Sequence, residues 1–247
     1  MPYINNAGIK IYYEIIGQGE PLILHHWGGG CTQDWYDLGY VDELKKYYQL
    51  ILIDARGCGK SDKPHEPSLY ALELKALDTI LIMDDLMLKK AYCLGYSMGG
   101  RTVFGLMKYY PNRFKKFIIG GAHPFSSTKL ITSLQAMLPK GMSYVVEQSE
   151  KIFGPYPEKI RESYLKNDVK ALITSYSQPW IDMSNCLSKI NIPCLFYTGS
   201  KDPLTPKIKQ CYELMQGAQL QILENFDHAQ AYWQAKIIST LIIDFLK

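Results

Sequence analysis

The sequence has neither a large excess of charge of one sign nor a long hydrophobic run. The 247 residues include 27 Lys and Arg against 24 Asp and Glu, which leaves a formal net charge of +3. Basic and acidic side chains are interspersed, so the basic stripe typical of a nucleic-acid-binding surface is absent. No apolar run approaches the roughly 20 residues that cross a bilayer. We therefore expect neither a nucleic-acid partner nor a membrane span.

Closely spaced cysteine pairs are also missing. The six cysteines show no CxxC spacing of the kind that holds a metal ion, and Cys93, Cys186 and Cys194 lie among apolar residues, as small buried side chains do. The N-terminus has no basic segment followed by an apolar stretch, the pattern of a secretory signal. The sequence predicts a cytoplasmic protein without a metal site or other cofactor. Its oligomeric state cannot be read from these patterns.

The chain does contain alternating strand-like and helix-like segments. With 47% hydrophobic residues it can bury one substantial core, and the alternation predicts an α/β fold with a mostly parallel sheet. The predicted strands are Tyr3–Asn5, Ile9–Ile16, Pro21–His25, Gln49–Asp54, Ala91–Leu94, Phe114–Gly121, Pro193–Thr198 and Gln219–Leu223. The predicted helices are Asp37–Tyr48, Leu69–Leu88, Arg101–Tyr110, Leu204–Met215 and Ala229–Leu246.

One pentapeptide, Gly95-Tyr96-Ser97-Met98-Gly99, has the Gly-x-Ser-x-Gly pattern of a nucleophile elbow. The strand-like run Ala91–Leu94 precedes it and a helical stretch ending before Pro111 follows it. A sharp turn between strand and helix forces the serine into a crowded backbone conformation, so its neighbours must be small. The turn also leaves the hydroxyl at a helix N-terminus, where backbone N–H groups favour developing negative charge. Ser97 is the predicted nucleophile.

A serine hydroxyl needs a base, normally a histidine oriented by a carboxylate. Of the five histidines, His228 lies in a polar loop after a predicted strand, the position where functional sites usually form in parallel sheets. His25 is better interpreted as structural. Asp202 follows another predicted strand and is the predicted carboxylate, although it could instead cap the next helix. Asp227 is a weaker rival, because side chains adjacent along the chain seldom face one another.

Stabilising an oxyanion requires two aligned donors. The backbone N–H of Met98, directly after the nucleophile, is the first candidate. The glycine-rich turn after the third strand offers the second, which we assign to the backbone N–H of Trp27. The Trp27 indole would then project towards the substrate or fill the pocket floor.

The stretch from 124 to 189 interrupts the alternation. It contains no strand candidate, only short helical patterns broken by proline and glycine, and it is too long for a simple crossover. We interpret it as an inserted helical lid (cap) over the carboxyl edge of the sheet, and expect Trp27, Met137 and Trp180 to line an apolar pocket. The lid is rich in Met and aromatic residues, namely Met137, Met142, Tyr144, Phe153, Tyr156, Tyr164, Tyr176, Trp180 and Met183.

Taken together, these motifs resemble the α/β-hydrolase superfamily, specifically its lidded, single-domain esterase-like members. The resemblance covers essentially the whole chain and is carried in order by His25–Gly29, Asp54–Asp62, the elbow, Gly199–Asp202 and His228. It implies a mostly parallel eight-stranded sheet, a core formed by 1–123 and 190–247, and a lid at 124–189. The chain departs from the family pattern at His26 and Asp227, where the family usually has glycine.

The resemblance implies a serine hydrolase that cleaves small to medium carboxylic esters through Ser97, His228 and Asp202, by way of an acyl-enzyme. Relatives with an aspartate nucleophile are disfavoured by Ser97. One alternative is a hydrolase of carbon–carbon bonds in dienone or β-diketone compounds, which would need a polar anchor such as Arg101 or Arg161. A second alternative, of another class, is a non-hydrolytic ligand receptor on the same fold.

Overall fold

Eight strands in the described part of the chain form one sheet. Of its seven neighbouring pairs, the first two are antiparallel and the other five are parallel. The computed structural model describes residues 2–126 and 132–247 in full and residues 128–131 by their backbone. The sheet order is β1-β2-β4-β3-β5-β6-β7-β8. The strands are β1 Tyr3–Asn6, β2 Ile9–Ile16, β3 Glu20–His25, β4 Tyr48–Ile53, β5 Ala91–Tyr96, β6 Phe114–Gly120, β7 Cys194–Gly199 and β8 Gln219–Leu223.

The central strands are apolar on both faces, as expected for a parallel sheet covered by helices. Along β5, Cys93 packs into the core on one side of the sheet and Leu94 into the core on the other. Phe196 and Tyr197 of β7 divide in the same way. This alternation follows from the two-residue period of a strand, and it explains why these strands appear in the sequence as continuous hydrophobic runs.

Helices cover both faces. The core on one face includes residues of α3, α4 and α9, and the core on the other includes residues of α1, α2, α10 and α11. The helices are α1 Thr32–Asp37, α2 Tyr40–Leu44, α3 Leu72–Asp85, α4 Met98–Tyr109, α5 Thr128–Met137, α6 Met142–Phe153, α7 Glu158–Leu165, α8 Val169–Ser177, α9 Thr205–Glu213, α10 His228–Trp233 and α11 Ala235–Leu246.

Three of the predicted helices have the wrong bounds. The helix expected over 37–48 is replaced by α1 and α2, which are separated at Gly39, where φ is +92°. The helix expected over 69–88 begins only at Leu72, after a 3-10 turn, and ends at Asp85. The closing helix breaks at Gln234, whose ψ of 52° is not helical, so that α10 and α11 are separate. Apolar residues on both sides of the breaks at Gly39 and Gln234 pack into the same core, so the hydrophobic period gives no sign of either break.

Helices α5 to α8 form the segment between β6 and β7, and no strand interrupts them in the described residues. Their side chains reach the carboxyl ends of β3 and β5, where Tyr164 of α7 bonds to the loop after β3. The six cysteines are free thiols. Among the described residues, none of the helices has the length and apolar character needed to cross a membrane.

Candidate active site

Ser97 occupies the sharp turn between β5 and α4. Its φ of +52° and ψ of −110° lie in a region that residues with a side chain seldom adopt. The Ser97 N–H donates to the Gly120 carbonyl at 2.8 Å, and the Ser97 carbonyl accepts from the Arg101 N–H at 3.0 Å. These bonds to β6 and α4 fix the turn from both sides and compensate for the backbone strain.

The glycines beside Ser97 are required by close backbone contacts. A Cβ added to Gly99 would lie 2.2 Å from the His25 carbonyl oxygen, and one added to Gly95 would lie 2.4 Å from the Gly99 carbonyl oxygen. Such contacts involve main-chain atoms that cannot move away. The Gly-x-Ser-x-Gly pattern is therefore a packing requirement between β3, β5 and the start of α4.

Ser97, His228 and Asp202 form one hydrogen-bonded chain. His228 Nε2 lies 2.9 Å from Ser97 Oγ, and His228 Nδ1 lies 2.7 Å from Asp202 Oδ2. Because an ionised carboxylate only accepts, Nδ1 carries the proton and Nε2 is left to accept from the serine hydroxyl. Ser97 thus meets Asp202 and His228, which follow it by more than 100 positions in the sequence, at the carboxyl edge of the sheet.

The Asp202 carboxylate is buried, and both of its oxygens accept hydrogen bonds. Oδ1 accepts from the Leu204 N–H at 2.8 Å, and Oδ2 accepts from the Thr198 hydroxyl at 3.2 Å as well as from His228. Burial by itself raises the pKa of this carboxyl, but the adjacent His228 and these hydrogen bonds outweigh it, so the pKa lies below the ordinary value. Asp202 therefore remains ionised at neutral pH. Asp202 does not take the alternative role of a helix cap, because α9 begins at Thr205 without a side-chain cap and the bond to the Leu204 N–H lies just before it.

His228 is the first residue of α10. Burial lowers the pKa of the imidazole, but the Asp202 charge and hydrogen bond outweigh that effect and raise it above 6.5. Asp227, the rival carboxylate, points elsewhere and caps the helix, since its Oδ1 accepts from the Ala229 and Gln230 N–H groups at 2.9 and 2.8 Å. The Tyr96 hydroxyl donates to the His228 carbonyl at 2.5 Å, which fixes the backbone under the ring.

His26, in the glycine-rich loop after β3, forms hydrogen bonds with two backbone groups. Its Nε2 accepts from the Ala55 N–H at 3.0 Å, so Nδ1 carries the proton and donates to the Trp27 carbonyl at 2.7 Å. Burial holds the pKa of His26 below its ordinary value, which keeps this neutral form in place. The departure from glycine at this position thus joins the loop after β3 to the loop after β4. His25, by contrast, contacts the Thr79 hydroxyl at 3.2 Å, in agreement with a structural role.

The two predicted oxyanion donors lie beside the serine. Met98 is the first residue of α4, and Trp27 lines the same cavity as Ser97. In the described residues, no backbone carbonyl accepts from the N–H of either residue. The Trp27 indole stacks on Tyr232 with ring centroids 5.3 Å apart, and its Nε1 donates to buried Asp34 at 3.1 Å. The indole therefore forms part of the cavity wall with its polar edge turned inward to the protein.

Two residues of the α7 region hold the glycine-rich loop and were not anticipated from the sequence. The Tyr164 hydroxyl donates to the Gly28 carbonyl at 2.8 Å, and Asn167 Nδ2 donates to the Gly29 carbonyl at 2.7 Å. With both carbonyls held by the α5–α8 segment, the loop has one orientation relative to Ser97. In the sequence, Tyr164 is only one of several aromatic residues between 124 and 189, because a contact with a residue 136 positions away leaves no local signal.

A cavity of about 160 Å³ opens above Ser97 and His228. Its wall is mostly aromatic and aliphatic, with few polar groups besides the hydrogen-bonded chain. The α5–α8 segment and the stretch that follows it contribute Leu134, Ser149, Phe153, Tyr156, Tyr164, Tyr176 and Trp180. Such a cavity suits a small ligand with an apolar or aromatic body.

The remaining residues singled out from the sequence lie as follows. Trp180 lines the cavity, whereas Met137 packs in a cluster with Leu138 and Met142 and is not among the described lining residues. Arg101 is buried and donates to the carbonyls of His123, Phe125 and Ile181, with its guanidinium 4.8 Å from the Trp180 ring centre. Arg161 is exposed at its tip and pairs with Glu150 at 3.3 Å.

Known proteins resemble this chain in sequence and in structure. The serine hydrolase BPHL of Mus musculus is 27% identical over 97% of this chain and 84% of its own length. A proline iminopeptidase of Lactobacillus acidophilus is 24% identical over 92% of this chain and 90% of its own. A thermophilic esterase of Thermogutta terrifontis superposes with a TM-score of 0.86 at 20% identity, covering 99% of this chain and 96% of the esterase.

The family comparison agrees with the sheet order and with the elbow. The family model described as alpha/beta hydrolase fold matches residues 20–147, more than half of the chain, and the match includes β3, the elbow and α4. The resemblance and the fold class expected from the sequence are confirmed. The chain belongs to the alpha/beta-hydrolase family.

Proposed function

We propose that this protein is a serine hydrolase that cleaves carboxylic esters with a small to medium acyl or aromatic part. The observation that carries the proposal is the hydrogen-bonded chain from Ser97 through His228 to Asp202, which ends in an apolar cavity. A hydroxyl, an imidazole and a carboxylate in this arrangement are the components of nucleophilic acyl transfer. The residues from 124 to 189 act as a lid in this proposal, because their side chains form most of the cavity roof.

The reaction proceeds in two steps. Ser97 Oγ attacks the ester carbonyl while His228 Nε2 accepts the hydroxyl proton, and the same proton is then delivered to the leaving alcohol. The acyl group remains on Ser97. His228 next removes a proton from water, the water oxygen attacks the acyl carbon, and the acid leaves as Ser97 recovers its proton. The charge of Asp202 stabilises the imidazolium formed in each step.

The oxyanion of each tetrahedral intermediate accepts hydrogen bonds from the Met98 and Trp27 N–H groups. This assignment is supported by their place beside Ser97 and by the lack of backbone acceptors for both groups in the described residues. The bonds from His26, Tyr164 and Asn167 to carbonyls of the loop orient it before substrate arrives. Preorganised donors of this kind stabilise the transition state without a cost of reorientation.

An ester is favoured over a substrate cleaved at a carbon–carbon bond. The second chemistry would need a free cation beside the substrate, but Arg101 is occupied by three carbonyls and Arg161 is paired with Glu150. Neither arginine lines the cavity of about 160 Å³ above Ser97. Arg101 and Ser97 do share a separate void, but its volume of about 10 Å³ is too small for a substrate group. The cavity volume of about 160 Å³ favours short acyl chains and single aromatic rings. The esterase among the structural neighbours is consistent with this choice.

A fluorophosphonate probe and a series of p-nitrophenyl esters test the proposal. We expect the probe to label wild-type protein and not Ser97→Ala. In the ester series, from acetate to dodecanoate, kcat/KM should be highest for the short acyl chains and fall for chains that exceed the cavity. Ser188→Ala, which changes an exposed serine on the stretch after α8, is the matched control and should be labelled like wild type.

Each alternative predicts another outcome. Labelling of Ser97 without ester turnover would favour a ligand receptor, and turnover of β-diketones in preference to esters would favour the carbon–carbon hydrolase. Folded wild-type protein that the probe does not label would contradict every mechanism based on Ser97.

A further inference from the structure

A second cavity lies next to the catalytic one. It measures about 210 Å³ and lies between α3, the beginning of α4 and the end of α8. Met98, Tyr176 and Trp180 contribute to the walls of both cavities, so these three side chains form the partition between them. Neither Ser97 nor His228 lines the second cavity, and the proposed hydrolysis makes no use of it.

The second cavity contains a lysine without an anionic partner. Lys75 of α3 is half-buried, and its Nζ donates to the Ser175 hydroxyl at 3.1 Å and lies 5.5 Å from the Tyr70 ring centre. It forms no ion pair with any described residue. Burial lowers the pKa of this amine to about 8, which leaves it mostly charged at neutral pH. The nearby Asp78 charge favours the ammonium, but that carboxylate is bonded to Arg56 and Asn6. An anion placed directly beside Lys75 would therefore further offset the cost of burying its charge.

The other charged groups of this cavity are accounted for. The Arg101 guanidinium donates to three backbone carbonyls and lies 4.8 Å from the Trp180 ring centre, which together hold it in the wall. Glu73 is exposed and is not paired with Lys75 in the part of the chain that the structure describes. Lys75 can donate to a ligand, since an ammonium has three donors and Ser175 accepts only one, and its Nζ is not held by backbone carbonyls as Arg101 is.

The remaining wall is largely apolar and aromatic, with Leu72, Tyr109, Tyr176 and Trp180 among its side chains. We propose that this cavity binds a small free organic carboxylate, whose carboxylate is held by Lys75 and Ser175 and whose aromatic or branched body packs against Tyr176 and Trp180. The carboxylate completes the hydrogen bonding of the ammonium, and the body replaces water along the apolar wall. Because Tyr176 and Trp180 belong to both cavities, the ligand rests on the wall of the catalytic site without entering it.

Calorimetric titration with benzoate tests this proposal, and benzamide, which has the same shape without the charge, is the matched ligand. At pH 7 we expect saturable binding of benzoate to wild-type protein and affinity for benzamide at least about tenfold weaker. Lys75→Met should weaken benzoate binding by a similar factor. Lys90→Met, which removes the same charge from an exposed position before β5, should bind benzoate like wild type. Benzoate should also bind after Ser97 has been capped by a small phosphonate.

Equal affinity for benzoate and benzamide, absence of saturable binding, or unchanged binding to folded Lys75→Met would overturn the proposal. So would loss of benzoate binding on capping, because the ligand would then occupy the catalytic cavity. If Lys75→Met fails to fold, the comparison of the two ligands on wild type still decides. A cap that fails to form counts against the proposed hydrolysis, and the titration of uncapped protein then decides on the second cavity.

Discussion

At the scale of single residues, Asp202 and Asp227 show how two carboxylates close in space to one histidine take different roles. Asp202 accepts from the imidazole at 2.7 Å, whereas Asp227 accepts from backbone N–H groups at the start of α10. Both charges raise the pKa of His228, with Asp202 the larger contribution. Position relative to the imidazole ring, and not proximity along the chain, therefore determines which aspartate orients the base.

Asp202→Asn is expected to lower kcat for ester hydrolysis about ten-thousand-fold, because the amide no longer fixes the tautomer or stabilises the imidazolium. The acid limb of the kcat/KM profile should also move to lower pH. In wild type, activity falls as the pH drops through a His228 pKa that lies above 6.5, since protonated His228 cannot accept a proton. Without the Asp202 charge, burial remains and lowers that pKa. Steady-state rates measured between pH 4 and 9 check both effects.

The control for this variant is Asp227→Asn. Asparagine caps a helix about as well as aspartate, so α10 and the imidazole should keep their places. We expect rates within about twofold of wild type, with only a slight change in the acid limb. If Asp227→Asn were the more damaging change and Asp202→Asn were harmless, the roles assigned to the two carboxylates would be reversed.

At the scale of elements, α7 and the loop after β3 act together. The Tyr164 hydroxyl and the Asn167 amide give the loop carbonyls of Gly28 and Gly29 defined partners. A Cβ at Gly29 would lie 2.6 Å from the Tyr164 ring, so the close approach of the two elements also requires glycine. The α5–α8 segment thus contributes to the geometry of the loop beside Ser97 and to the wall of the cavity.

Tyr164→Phe removes one hydrogen bond from this contact and keeps the ring. We expect kcat to fall roughly five- to tenfold with little change in KM, since the loop would hold the oxyanion donors less firmly in the transition state. Tyr144→Phe is the matched control on α6, where the hydroxyl contacts Lys140 at 3.3 Å and does not line the cavity. Kinetics on p-nitrophenyl acetate measure both variants, and equal rates for all three proteins would contradict a positioning role for Tyr164.

At the scale of the whole molecule, Arg101 connects the core to both ends of the inserted segment. From α4 it donates to the His123 and Phe125 carbonyls, where the chain leaves β6, and to the Ile181 carbonyl, where the chain returns. Burial lowers its pKa to about 10, so the guanidinium remains charged at neutral pH. The Arg101 side chain thereby joins the backbone before α5 to the backbone after α8.

Arg101→Met is expected to lower the free energy of unfolding by about 2–4 kcal/mol, because three buried carbonyls lose their donor. Arg161→Met serves as the control, since its exposed pair with Glu150 contributes only about 0–1 kcal/mol. Urea denaturation followed by circular dichroism gives both values. A change for Arg101→Met no larger than that for Arg161→Met would show that the three bonds do not hold the segment in place.

Much of this arrangement could be predicted from the sequence because it depends on local patterns. The elbow is visible because glycine is required on both sides of Ser97, and the buried strands are visible as apolar runs. The helix bounds near Gly39 and Gln234 were missed, because the breaks depend on backbone angles that the hydrophobic period does not reveal. Met137 was expected at the cavity, but helix orientation within the lid places Leu134 there instead.

By itself, the sequence determined the fold class and the identity of the residues able to do acyl-transfer chemistry, since both follow from residue type and order along the chain. Only the tertiary structure decided which aspartate faces His228, how His26 holds the Trp27 carbonyl, and that Arg101 is buried and bonded to three backbone carbonyls. These features depend on contacts between residues distant in sequence, whose distances and directions are set only when the sheet and the helices pack together.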